Sequence, residues 1–162
     1  MLAQKLNYCA EQYVDTREHI GFMGDDHVPV TFGWDVQINA VLCSNVPAIV
    51  YCNDLLQGSH IPTEVMMHSS IIHTLGYMCP PRFTHLWVDN VWKDWGIGAE
   101  CLHYLEDVII EHRHPLVHKA QWDDTYTAGN NDDVVMSDRS AYDVYVSSGQ
   151  CNQDVSKIVA LK

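Results

Sequence analysis

Three short apolar runs in this chain each end in a knot of ionisable residues, and this pattern limits the fold more than any other feature. Residues 20–23 lead through Gly24 into Asp25-Asp26-His27, residues 48–52 into Asn53-Asp54, and residues 108–110 into Glu111-His112-Arg113-His114. Runs this short, rich in β-branched residues, read as buried strands rather than helices. Further strands are expected at 64–67 and, one or two of them, within 102–111. Helical spacing fills the intervals. Leu2, Leu6, Cys9, Ala10 and Tyr13 share one stripe over residues 2–14, and Trp34, Ile38, Val41 and Leu42 another over 34–43. A short helix is predicted over 69–75, with Ser69 or Ser70 as its cap and Gly76 as its stop. A longer one is predicted over 84–95, capped by Thr84, and others over 119–127, 132–146 and 154–161. Helices alternating with short buried strands predict an α/β domain.

Charge and length narrow the partners. Nine Lys and Arg against 21 Asp and Glu give a net charge of −12 over 162 residues. Such a surface repels phosphate backbones, which argues against nucleic-acid binding. It also repels free anionic substrates unless a cation bridges them. No apolar run approaches the roughly 20 residues of a membrane span, and the first residues lack a hydrophobic signal core. The six cysteines form no Cys-x-x-Cys pair. They are expected to be buried free thiols in a reducing compartment, so a cytoplasmic location is predicted. No Gly-rich phosphate loop is present, with or without its lysine.

The run ends supply the candidate chemistry. Asp25-Asp26-His27 offers hard oxygen ligands and an imidazole at a strand end, a donor set for Mg2+ or Mn2+ that can hold a diphosphate on an acidic protein. The same pattern also suits a plain capped turn. In His112-x-His114 alternate residues of a strand face the same way, so both imidazoles can reach one metal, and Arg113 can meet a phosphate. Asp89, flanked by aromatics on a helix, suits a general base with a raised pKa, although such an Asp is as compatible with an ordinary polar helix face. Asn53 and Asp54 can bind acceptor hydroxyls or simply turn the chain. Most of the five tryptophans are expected in the core.

The order of these motifs resembles the GT-A-type, family-2-like nucleotide-sugar glycosyltransferases of phage and environmental sequences. The matching stretches are Phe22-Met23-Gly24-Asp25-Asp26-His27, Thr31-Phe32-Gly33-Trp34-Asp35, Val50-Tyr51-Cys52-Asn53-Asp54, Leu75-Gly76-Tyr77 and His85-Leu86-Trp87-Val88-Asp89. They continue with Trp92-Lys93-Asp94-Trp95-Gly96, Asp107 to Pro115, Lys119 and Asp123-Asp124-Thr125-Tyr126. The set runs from about residue 7 to residue 126. The resemblance implies a truncated GT-A-like, partly Rossmann-like mixed sheet flanked by helices over residues 1–128, with a C-terminal helical extension over 129–162. It implies that Asp25 and Asp26 stand at the DxD-type motif, with His27 at a neighbouring acid's place. These residues would bind Mn2+ or Mg2+ and, with Arg113, the donor diphosphate. His112 or His114 would complete the metal shell, Asp89 would be the general base, although Val88 precedes it where the family has a Glu, and Asn53, Asp54 and Trp87 would face the acceptor.

Family members begin with a strand-helix-strand unit that binds the nucleoside, and this chain begins at the helix after it. The resemblance therefore implies a homodimer or a partner half in trans. Two other readings remain open: a non-catalytic GT-A-like remnant that binds a sugar or a partner, and a metal-dependent hydrolase built on Asp25, Asp26, His112 and His114.

Overall fold

The computed structural model describes residues 2–162. Its elements, in chain order, are α1 (Leu2–Glu11), β1 (His19–Phe22), β2 (His27–Pro29), α2 (Trp34–Ser44), β3 (Ile49–Asn53), β4 (Val65–His68) and α3 (Ser69–Leu75). They continue with α4 (Val88–Gly98), β5 (Leu102–His112), α5 (Asp124–Gly129), α6 (Asp132–Ser147) and α7 (Gln150–Val159). The chain is α/β, with one curled, mixed sheet of five strands in the order β1-β4-β3-β5-β2.

Strand directions explain where the ionisable residues gather. β1 runs antiparallel to β4, β4 antiparallel to β3, and β3 parallel to β5. β1, β3 and β5 therefore run the same way, and their C-terminal ends deliver residues 24–27, Asp54 and His112 to one edge of the sheet. The 102–111 region is a single strand from Leu102 to His112. Its register against β3 shifts after Cys52, so that Asn53 pairs with Ile109. β2, which the sequence pattern does not show, turns back from β1 and pairs with the end of β5, setting His27 opposite His112.

The pleat divides the core. Ile49 and Tyr51 of β3 face a large cluster that includes Met67, Ile71, Val91, Trp92 and Trp95, while Val50 and Cys52 face α2 through Ile38 and Leu42. The C-terminal helices belong to the larger cluster, because Tyr145 and Ile158 are fully buried in it. Trp95 Nε1 donates to the Tyr145 hydroxyl at 2.7 Å, and the Tyr77 and Tyr145 hydroxyls each donate to buried Asp154 Oδ2 at 2.6 Å. α6 and α7 thus complete the body rather than extend from it.

Two helix starts differ from expectation. α4 begins at Val88, not at Thr84; the amides of Thr84, His85 and Leu86, in the loop before it, donate to the buried carboxylate of Asp138 on α6. α5 begins at Asp124 with Asp123 as its cap, and a short 3-10 turn over Pro115–Val117 precedes it. Of the six thiols, four are buried and free, while Cys9 and Cys43 are exposed, against the expectation that all would be buried.

Candidate metal centre

Asp26, His27 and His112 meet where β1 and β5 end and β2 begins. Among the described residues they form a group of three whose ligand atoms all lie within 4.8 Å of one another. The turn between β1 and β2 sets Asp26 beside β5, and the Arg113 amide donates to the Asp26 carbonyl at 2.9 Å. The cross-strand pairing of His27 with His112 stacks their rings, with centroids 4.2 Å apart and planes 21° from parallel. Gly24 admits this approach. A Cβ there would lie 2.5 Å from Asp26 Oδ1 and 2.9 Å from His27 Nδ1.

The Asp26 carboxylate is the hub. Oδ1 lies 3.1 Å from His27 Nδ1, and Oδ2 lies 3.0 Å from His112 Nε2 and accepts from the Tyr126 hydroxyl at 2.5 Å. Burial opposes its ionisation, but hydrogen bonds from His112, His27 and Tyr126 outweigh burial and hold the carboxyl far below the usual range. Burial likewise works against a charge on His112. The hydrogen bond to Asp26 and the negative charges of Asp26 and Asp54 prevail there and lift its pKa to about 9.

Behind the imidazoles lies a second, deeper layer. Asp54 is only 1% exposed. Its Oδ1 accepts from the amides of Leu56, Gln57 and Gly58, and its Oδ2 accepts from the Thr63 hydroxyl at 2.8 Å. His112 Nδ1 lies 3.6 Å from that Oδ2, beyond hydrogen-bond reach, and is buried with no hydrogen-bond partner. Glu64, 2% exposed, enters just before β4 and accepts from the Cys52 amide at 2.7 Å. Burial pushes its carboxyl up to about 7, against the pull of its hydrogen bonds.

The remaining candidates lie at varying depth around this group. Asp25 is exposed in the turn and is not one of the three. His114 lies beyond the end of β5, so strand alternation no longer governs it. Its Nδ1 accepts from the Leu116 amide, and its ring meets Tyr126 edge-on at 5.1 Å. Arg113 is half exposed and bonded to Glu111 at 3.1 Å. Asp89, half buried in the first turn of α4, has its pKa raised by burial and feels the positive charge of His112. Asn53 binds the Leu55 amide and the Glu106 carbonyl. Trp87 precedes α4 in the left-handed region, with φ 60°, and packs on the core. Sequence reasoning missed Thr63, Glu64 and, as a site residue, Tyr126. The first two bear no motif, and only the pairing of β4 with β3 brings them here.

The donor set, one carboxylate and two imidazoles, suits a divalent transition ion. Comparison with protein-family models, curated proteins and solved structures finds no match for this chain.

Proposed function

We propose that the chain is a metal-dependent glycosyltransferase of GT-A-like type that moves a sugar from a nucleotide-sugar donor to an acceptor hydroxyl. The observation that carries this reading is the Asp26–His27–His112 group at the C-terminal strand ends, with Asp89 within reach of the His112 charge. Ligands in open α/β sheets bind outside the carboxyl ends of strands. Two imidazoles with one carboxylate favour Mn2+ over Mg2+, which prefers oxygen donors alone. The cation held there supplies positive charge against a departing diphosphate. Asp89 takes the proton of the acceptor hydroxyl as that oxygen attacks the anomeric carbon and the bond to the diphosphate breaks. Its raised pKa strengthens it as a base. His114, Trp122 and Tyr126, which meet edge-to-face, form an aromatic wall beside Asp26 for the donor.

A thermal-shift titration with UDP, GDP and their common sugars, with and without Mn2+, tests the reading. A shift that needs both metal and nucleotide is expected. Metal-dependent phosphodiester or ester turnover with no nucleotide-sugar binding would overturn it in favour of a hydrolase. Asp89→Asn should abolish transfer and leave donor binding nearly intact, and equal loss of both would remove Asp89 from the base role.

A further inference from the structure

We propose that the outer edge of β1 docks an extended segment of a partner protein, with a lysine or arginine side chain in the pocket between β1 and α2. β1 is an edge strand, paired only with β4. The Ser69 amide donates to the Glu18 carbonyl, so residue 18 turns its backbone groups to β4. Antiparallel pairs alternate, so residues 20 and 22 do the same. The His68 amide donates to the Ala48 carbonyl, on the side of β3, so its partner His19 gets no bond from it. His19 and Gly21 therefore turn N–H and C=O outward, and no backbone partner meets them there among the described residues. The other edge of the sheet is blunted, since β2 is three residues ending in Pro29. β1 carries no Pro, Lys, Arg, Asp or Glu.

A pocket lies beside this edge. Ile20 and Phe22 pack against the larger core cluster, so the pleat puts His19 and Gly21 on the opposite face, with α2. The pocket there holds about 190 Å3. Trp34, Ile38, Leu42 and Met66 make its apolar walls. Asp35 and Asn39, one turn apart on α2 and both exposed, supply its polar groups, and no Lys or Arg lines it. A Cβ on residue 21 would overlap Met66 Sδ, so the strand bears no side chain at this point. These features select one occupant. The outward groups of His19 and Gly21 bond a chain that runs extended alongside β1. Residues opposite each other on two strands share a face, so the incoming residue facing Gly21 points toward the pocket. Apolar walls with a carboxylate at the rim fit Lys or Arg: the stem lies on Trp34 and Met66, and the head meets Asp35. The net charge of −12 favours a basic partner over a second copy.

The probe is a fluorescein-labelled, end-blocked peptide of alternating threonine and valine with lysine at its centre, added to the 162-residue chain. Fluorescence anisotropy follows binding, and backbone amide shifts in proton–nitrogen spectra locate it. The shifts should centre on His19 and Gly21. Glutamate in place of the peptide's lysine should weaken binding about tenfold, the worth of one charge-assisted hydrogen bond. Asp35→Lys should reverse that preference. His19→Pro removes an outward N–H at the first residue of the strand, where proline is tolerated, and should weaken binding at least about tenfold with Tm unchanged. Asp35→Lys, on the helix surface, keeps the test decisive should His19→Pro unfold. Equal affinity for the lysine and glutamate peptides, shifts away from β1, or no binding by the lysine peptide overturns the proposal. So does a doubled mass in sedimentation that His19→Pro halves, which gives the edge to a second copy.

Discussion

Gly24 is the residue on which the cluster depends without contributing a ligand. A methyl group there would overlap Asp26 Oδ1 and His27 Nδ1, both first in line for a cation. Gly24→Ala is therefore expected to keep the sheet and lose Mn2+ binding, read as an unchanged far-UV circular dichroism spectrum with no Mn2+-induced rise in Tm. A variant that binds Mn2+ like wild type would show that the turn has room to spare. Asp26→Ala should likewise remove metal-dependent donor binding. At this scale the sequence was informative where a ligand closes an apolar run, as with Asp26, His27 and His112. It did not separate Asp26 from Asp25, because only the geometry of the turn points one inward and leaves the other exposed. Nor did it separate His112 from His114, because the strand ends between them. Thr63 and Glu64 were illegible, since they reach the cluster through pairing across the sheet.

Among the elements, α6 has a role that its sequence pattern does not reveal. Its buried Asp138 collects the amides of Thr84, His85 and Leu86 and so sets where α4 starts and how Asp89 stands. Asp138→Ala strands those donors and should cost about 2–4 kcal/mol, measured by urea unfolding. Asp138→Asn, which keeps an acceptor oxygen, should lose less. If both variants unfold like wild type, the amides have other partners and the clamp is not needed. Most helices and strands were legible because burial imposes its period on the chain: Trp34–Ser44 and Ser69–Leu75 stand close to where the apolar spacing puts them. The start of α4 was not legible, because Thr84 has the chemistry of a cap, whereas residues 84–86 form a loop tied to Asp138, far along the chain. β2 was missed for a related reason. Three residues ending in Pro29 carry no periodicity and become a strand only against β5.

For the whole molecule, the metal-free fold and cation binding make opposite demands on pH. His112 is raised from about 6.5 unfolded to about 9 folded, so its contribution to stability is fully present below about 6.5 and lost as pH climbs through 9. The metal-free chain should therefore lose Tm between pH 7 and 9, and His112→Gln should flatten that slope. Glu64, raised to about 7, acts in the lower window: the fold favours its neutral form, and stability falls as pH rises from about 4.5 to 7. A cation reverses the dependence at His112, because the ring must shed its proton to bind. Mn2+ affinity should rise about tenfold per pH unit up to 9.

The most direct measurement is an Mn2+ titration followed by electron paramagnetic resonance at pH 8, on wild type, Asp26→Ala and His112→Ala. The account predicts one tightly held Mn2+ per wild-type chain and none in either variant. Binding that survives both substitutions, or no binding by the wild-type chain, would contradict it.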